Sequence, residues 1–360
     1  MVRVTIAGRM IGEGQPCFVI AEAGVNHNGN VNMAKRLIDA AAAAGADAVK
    51  FQTFSAEQLV SPVAPKAAYQ QQTTGAAESQ LAMLQRLELP RTAYPELQAH
   101  ARSRGVLFLS TPFDEESADF LEQLGVPAFK IGSGEVTNLP LLRHVAHKHQ
   151  PMIVSTGMAD LAEVTEAVAA IRQEGNDQLV LLHCVSSYPA DPAAVNLRAM
   201  QTMAETFHVP TGYSDHTEGL EIAVAAVALS ACLIEKHLTL DKAMPGPDHQ
   251  ASAEPQELAA LVRAIRAVET ALGDGCKRPT AGEANTAAAA RRSLVAALDI
   301  PAGTRLTEQH IAIKRPGIGL PPSLRTRLIG RMTTTDIAAG TVLTWGMIES
   351  TQEHRGCQNS

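Results

Sequence analysis

The sequence predicts an α/β fold, a closed (β/α)8 barrel of the TIM type, followed by a small, mostly β domain. Three observations carry this reading. Short β-rich apolar runs alternate with helical patterns over roughly the first 275 residues, and such alternation builds parallel strands joined by crossover helices. Each run ends in polar residues, as barrel strands do where they open onto a site. After about residue 291 the texture changes to an internal repeat without helical periodicity.

The runs are Phe18 to Gly24, Ala48 to Thr53, Leu107 to Phe113, Ala128 to Gly134, Met152 to Met158, Leu179 to Val185, Thr211 to Thr217 and Cys232 to Leu240. Eight such units over about 250 residues is the arithmetic of a barrel. The competing fold, an open doubly wound sheet, usually carries a glycine-rich phosphate turn after its first strand. Here the segment 23–29, Ala-Gly-Val-Asn-His-Asn-Gly, has the wrong spacing for it. The clearest helix follows the last run, with Leu258, Leu261, Val262, Ile265, Val268 and Leu272 on one face and Gly273 as its stop. Ser55 to Gln80 reads as a long, glutamine-rich loop, either a lid over the mouth or a surface insertion. The expected layout is a barrel over 1–276, a linker over 277–291, a small domain over 292–350 and a polar, frayed tail over 351–360. Within the small domain, Asp299 to Thr307 recurs as Asp336 to Thr344 in the pattern Asp-Ile-x-Ala-Gly-Thr-x-Leu-Thr, which predicts two turn units related by a pseudo-twofold axis.

Composition narrows the function classes. The chain has 360 residues, 46% hydrophobic and 19% charged, with a net charge of −7. That is ordinary for a globular protein and a poor match to nucleic acid or an anionic membrane surface. No apolar run approaches the ~20 residues of a membrane span, and the first residues lack the layout of a secretory signal. Five scattered cysteines, Cys17, Cys184, Cys232, Cys276 and Cys357, form no Cys-x-x-Cys pair, so a cytoplasmic location is expected, with three of them as core fillers.

The strand ends supply the candidate chemistry. His216 and His237 close the seventh and eighth runs, neighbours in a barrel. Two imidazoles at one mouth suit a divalent metal, unless each only hydrogen-bonds a nearby carboxylate. Lys50 and Lys130 end apolar strands, where a charge must be paired or hydrated. With Thr111, Ser133, Ser155 and Ser214 they form a nest for a compound bearing phosphate and carboxylate, or else they are structural ion pairs. Glu22 and Glu135 end the first and fourth runs and either move protons or neutralise the lysines.

Several longer motifs then accumulate in order. They are Ile20 to Gly29 (IAEAGVNHNG), Val49 to Thr53 (VKFQT), Phe108 to Phe113 (FLSTPF), Phe129 to Glu135 (FKIGSGE), Ser155 to Met158 (STGM), Gly212 to Thr217 (GYSDHT), Glu235 to His237 (EKH) and Gly246 to His249 (GPDH). The chain resembles the sialic (nonulosonic) acid synthases through nearly its whole length, and its last part resembles their antifreeze-like SAF domain. The resemblance implies condensation of phosphoenolpyruvate with N-acetylmannosamine or a close analogue, releasing phosphate by C–O cleavage. It implies a divalent ion on His216 and His237, manganese first with magnesium or cobalt as alternatives. Phosphoenolpyruvate contacts are implied for Lys50, Thr111, Lys130, Ser133, Ser155 and Ser214. Glu22 is implied as the group orienting water or the intermediate, and Glu135 as the proton-transfer group. Sugar contacts are implied for Gln52, Tyr188 and Asp248.

The resemblance further implies a domain-swapped homodimer in which Arg315 reaches the partner's sugar. Ser186 stands where better-known bacterial members carry an asparagine that touches phosphoenolpyruvate, so its part as a ligand is open. The segment Lys66 to Gln70, with Ala251 and Ser252, is also similar to members that use 2,4-diacetamido-2,4,6-trideoxymannose and make legionaminic acid. The remaining alternative is a non-enzymatic sugar-binding or assembly protein whose working part is the small domain.

Overall fold

The computed structural model describes residues 3–75 and 77–350. The predicted tail and Cys357 lie outside the described residues. The chain divides into two compact units between Asp274 and Gly275.

The first unit opens with an antiparallel hairpin, β1 (Arg3–Ile6) and β2 (Arg9–Gly12). Its two-residue turn places Ala7 at φ 49° and Gly8 at φ 80°, the left-handed pair that matches strand twist in tight hairpins. The barrel strands follow: β3 (Phe18–Gly24), β4 (Ala48–Thr53), β5 (Leu107–Pro112) and β6 (Phe129–Ile131). The other four are β7 (Met152–Ser155), β8 (Leu179–Cys184), β9 (Thr211–Asp215) and β10 (Leu233–His237). The ladder order is β5-β4-β3-β10-β9-β8-β7-β6, with every hydrogen-bonded pair parallel. Its two terminal strands, β5 and β6, pack side by side, so the sheet curls into a barrel.

Every predicted run contains one observed strand. Six of the runs overshoot at the carboxyl end, because the chain leaves the sheet for the loops that build the mouth. After β6 it turns into a 3-10 segment at Ser133–Glu135.

Side chains alternate across a strand, so each strand points one series into the barrel, and that series changes character along its length. The lower layer is apolar: Phe18, Ile20, Leu109, Ala128, Ile153, Val180, Leu182 and Leu233 form one buried cluster, joined by Val4, Ile6 and Ile11 of the hairpin. One or two inward positions further on, the same strands carry Glu22, Lys50, Thr111, Lys130, Ser155, Ser214, Glu235 and His237. Outward-facing residues such as Val19, Val49, Phe129, Val154 and Ile234 pack against the helices. Gly212 is required on β9, since a Cβ there would lie 2.3 Å from the Leu233 carbonyl oxygen.

The helix after β10 spans Pro255–Leu272 and buries Leu258, Leu261, Val262 and Ile265 as its spacing predicts. Leu272 corrects the expectation: it is exposed, one residue before Gly273 ends the helix. The segment 55–80, expected as loop, contains helices Ala56–Leu59 and Ala68–Thr74 and leads into Gln80–Leu87. Lys66 is buried there, donating to Thr74 Oγ1 at 2.9 Å and the Gly75 carbonyl at 3.0 Å.

In the second unit the segment expected as a linker carries a short helix, Ala284–Ala290. Beyond it lie β11 (Ser293–Ala296) and antiparallel β12 (Ile311–Lys314). The repeat folds with reciprocal contacts. Ile300 and Ile337 exchange backbone hydrogen bonds at 2.8 Å each way. Asp299 accepts from the Ala339 amide, and Asp336 from the Ala302 amide, both at 2.7 Å. The core is built from Leu294, Ile300, Leu306, Leu320, Ile337 and Leu343, with Ile300–Ile337 and Leu306–Leu343 as repeat-equivalent pairs.

Candidate active site

The carboxyl ends of the strands surround a cavity of about 360 Å³. Its lining includes Glu22, Lys50, Gln52, Thr111, Lys130, Ser133 and Ser155, together with Ser186, Tyr188, Ser214, His216, His237 and Asp248. The sequence placed all of these at the mouth. One predicted residue of the barrel is elsewhere. Glu135 sits outside the lining, where its Oε2 accepts from Asn138 Nδ2 at 2.7 Å. Arg315 belongs to the second unit, exposed just after β12.

Four buried charges form the floor. Lys50 Nζ lies 2.7 Å from Glu22 Oε2, 3.8 Å from Glu235 Oε2, and donates to Thr111 Oγ1 at 3.0 Å. Lys130 Nζ lies 3.2 Å from Glu235 Oε1, which also accepts from Ser214 Oγ at 3.1 Å. Glu235, absent from the sequence-based site, is therefore the carboxylate shared by both lysines. Only its place beside His237 at a strand end pointed to it. Burial would raise its pKa, but Lys130 and Lys50 outweigh burial and pull it to about 2. For Glu22 burial dominates despite Lys50 and raises its pKa. Lys130 is lowered by burial, whereas Lys50 is raised because Glu22 and Glu235 outweigh its own burial. The two carboxylates are thus pushed apart, one held ionised and one shifted toward carrying a proton.

Beside the floor is a cradle of small donors. Ser155 Oγ is buried without a partner. Ser133 Oγ accepts from the Gly157 amide at 2.9 Å. A Cβ on Gly157 would fall 2.3 Å from Ser186 Oγ and 2.8 Å from Ser133 Oγ, so glycine keeps this cradle open. Ser186 takes part in it through its hydroxyl.

On the other side stand the imidazoles, ring centroids 5.3 Å apart and tilted by 55°. His216 Nδ1 donates to the Val185 carbonyl at 2.7 Å, so in the neutral ring Nε2 carries the lone pair; burial opposes protonation of this ring, but Cys184 and the Val185 carbonyl outweigh it and raise its pKa. His237 Nδ1 is buried with no partner, and burial, then His216 and Lys50, lowers its pKa well below the ordinary value. A neutral imidazole with an unused lone pair is what a divalent ion requires, so the donor chemistry fits a metal. Among the described residues no group of three or more His, Cys, Asp and Glu side chains is arranged to hold an ion.

Aromatic rings close the wall. Tyr188 lies 4.1 Å from His216 and 5.6 Å from His237 between centroids, and Tyr69 stacks on Tyr188 at 5.0 Å. Tyr69 and Gln70 come from the segment 55–80, so one of its two expected placements, over the mouth, is the observed one. Buried Asp248 has its pKa raised by burial to about 6. Cys17, Cys184 and Cys232 are buried, but Cys184 is more than core filler, because it lines the cavity with its sulfur 3.7 Å from His216 Nδ1.

Fold and mouth together define a (β/α)8 barrel whose mouth carries buried, paired charges and a pair of imidazoles. The NeuB family model matches residues 37–277 and the SAF domain model residues 291–349. The chain belongs to the NeuB family. It is 48% identical over 343 residues to the N,N'-diacetyllegionaminic acid synthase of Legionella pneumophila, covering 94% of this chain and 96% of that one. It is 49% identical over 319 residues to the enzyme of the same name from Campylobacter jejuni, covering 88% and 96%. The crystal structure of N-acetylneuraminic acid synthetase from Leptospira borgpetersenii, solved with citrate, is similar with a TM-score of 0.70 and 36% identity, covering 79% of this chain and 95% of that one. Among the described residues no helix is long and apolar enough to cross a membrane.

Proposed function

We propose that this mouth condenses phosphoenolpyruvate with an N-acylated mannosamine-type aldehyde and releases phosphate by C–O cleavage. The observation that carries the reading is the floor of Lys50, Lys130, Glu22 and Glu235 set against two imidazoles 5.3 Å apart.

Phosphate and carboxylate are held by Lys50 and Lys130 with the hydroxyls of Thr111, Ser133, Ser155, Ser186 and Ser214. The methylene carbon of phosphoenolpyruvate bonds to the aldehyde carbon, whose oxygen takes a proton and becomes a hydroxyl. Water adds its oxygen to the enol carbon, and the resulting tetrahedral centre expels phosphate with the bridging oxygen. Glu22 orients and deprotonates that water, because it lines the cavity and its raised pKa suits proton transfer. Glu135, turned toward Asn138, has a supporting part at most in this arrangement. Gln52, Tyr188 and Asp248 hold sugar hydroxyls. His216 and His237 hold a divalent ion, manganese in preference to magnesium or cobalt, which when bound supplies Lewis-acid polarisation of the aldehyde.

A second reading sharpens the substrate to 2,4-diacetamido-2,4,6-trideoxymannose. The relatives at 48% and 49% identity carry the legionaminic name, against 36% for the neuraminic structure. One wall of the cavity is apolar, with Val25, Met83, Leu84, Leu87 and Phe113, which suits a sugar bearing extra methyl groups.

The swapped homodimer, with Arg315 reaching the partner's sugar, is also proposed. Charge supports it: the first 274 residues carry 19 Lys and Arg against 31 Asp and Glu, a net −12, while residues 275–360 carry 11 against 6, a net +5. Opposite net charges favour docking of one copy's small domain on another's barrel. A cytoplasmic location fits the buried thiols of Cys17, Cys184 and Cys232.

The test is phosphate release from phosphoenolpyruvate with N-acetylmannosamine and with its diacetamido-trideoxy relative, each with Mn²⁺ and with EDTA. Metal-dependent release with at least one sugar is expected, and the better substrate decides between the two readings. No release with either sugar overturns the proposal.

A further inference from the structure

We infer that Asp215 and Lys236 form a clamp that positions the two imidazoles from behind. The inference rests on the reading of His216 and His237 as ligands of a divalent ion. The parallel register sets Ser214 of β9 opposite Glu235 of β10, and Asp215 opposite Lys236. Alternation sends the first pair into the cavity and the second to the outer face. There the side chains are buried, 0% exposed for Asp215 and 4% for Lys236. Lys236 also lines a second cavity of about 300 Å³, together with Thr217, Glu221 and Glu257.

The bonds of this pair converge on the residues flanking the histidines. Lys236 Nζ donates to Asp215 Oδ2 at 2.7 Å and to the Thr217 carbonyl. Asp215 Oδ1 accepts from the Thr217 amide at 2.9 Å and from Thr217 Oγ1 at 2.8 Å. Asp215 and Thr217 are the chain neighbours of His216, and Lys236 is the residue before His237. One closed knot therefore ties the backbone on both sides of one imidazole to the backbone entering the other. His237 has more need of it, since its Nδ1 has no hydrogen bond to fix the ring. Its peptide is held instead by Ala253 N donating to the His237 carbonyl at 2.7 Å.

Stability does not account for charges in this place. Replacing a buried ion pair with uncharged groups of similar volume is often neutral or stabilising. What the pair adds is direction: groups that hydrogen-bond a metal-ligating imidazole change metal affinity or activity by about 10- to 100-fold, and this pair acts one step further out, through the backbone beside each ring.

The experiment pairs Asp215→Asn with Lys236→Met in the full-length chain, so that neither charge is left alone. Free Mn²⁺ is measured by electron paramagnetic resonance during titration, alongside kcat, the KM for phosphoenolpyruvate and the melting temperature. The clamp predicts a melting temperature no lower than wild type, Mn²⁺ affinity weakened about tenfold or more, kcat lowered, and KM for phosphoenolpyruvate within twofold. Wild-type Mn²⁺ binding matched by the variant overturns the clamp while leaving the proposed function standing. A wild-type chain that binds no Mn²⁺, Mg²⁺ or Co²⁺ overturns the metal reading and the clamp with it. If the paired variant fails to fold, Lys236→Arg serves in its place. It keeps the charge but not the single-point geometry, and unchanged Mn²⁺ affinity in that folded protein also overturns the clamp.

Discussion

The lower and upper layers of the interior belong to the same barrel, yet they are built from opposite materials. Below, Phe18, Ile20, Leu109 and Ile153 fill the barrel with apolar volume and the hairpin adds Val4, Ile6 and Ile11. Above, Glu22, Lys50, Lys130 and Glu235 are each no more than 5% exposed. Charges buried this deeply do little for stability. The comparison teaches a division of labour: the lower layer and the outward face against the helices hold the barrel together, and the upper layer is free to be shaped for a ligand.

The largest expected effect breaks the upper layer alone. Glu22→Gln removes the carboxylate that exchanges a proton and lowers kcat by about 10³-fold, within the usual reach of one acid–base group, as read in steady-state assays of phosphate release. Next, Lys130→Met lowers kcat/KM by about 10²- to 10³-fold, the scale of one lost electrostatic contact. It also costs about 3 kcal/mol of stability, because the charge of Glu235 is then faced only by Lys50 at 3.8 Å and the neutral hydroxyl of Ser214. Both losses are measurable on the same preparation, by kinetics and by urea unfolding.

The converse variant belongs to the lower layer. Ile153→Ala, at a fully buried position, costs about 3 kcal/mol by leaving a cavity, while kcat per folded molecule stays within twofold of wild type. A large fall in kcat would erase the distinction between the layers.

The last effect concerns pH. Asp248 has its pKa raised by burial to about 6, so the folded state holds its proton more tightly than the unfolded chain does. Its contribution to stability is present at low pH and is lost as pH rises from about 4 through 6. Relative to Asp248→Asn, the wild type should lose up to about 3 kcal/mol over that window and stay level above it. Parallel unfolding curves of the two proteins between pH 4 and 7 would contradict this.

The fold was legible because it rests on local rules. Alternating apolar runs, helix spacing and the duplicated Asp-Ile-x-Ala-Gly-Thr pattern each state their own structure, and all appear in the observed elements. Most of the mouth was legible as well, because a polar residue closing an apolar strand has few other reasons to be there. What escaped depends on long-range packing. Glu235 gains its place from Lys130 and Ser214, residues far away in sequence. Cys184 looks like core filler until His216 arrives beside it. The β1–β2 hairpin is short, and only the burial of Val4, Ile6 and Ile11 against the barrel gives it a role. Glu135 had the right position in the chain but sits in a 3-10 turn that directs its carboxylate to Asn138.

The central claim is that the upper layer joins phosphoenolpyruvate to a sugar aldehyde with rupture of the C–O bond. Phosphoenolpyruvate carrying ¹⁸O in its bridging position, incubated with the full-length protein, Mn²⁺ and the better of the two mannosamine sugars, tests it in one reaction. The account predicts that ³¹P NMR finds the label in the released phosphate, together with one equivalent of a new nine-carbon acid. Phosphate released without the label, or without the new acid, would contradict it.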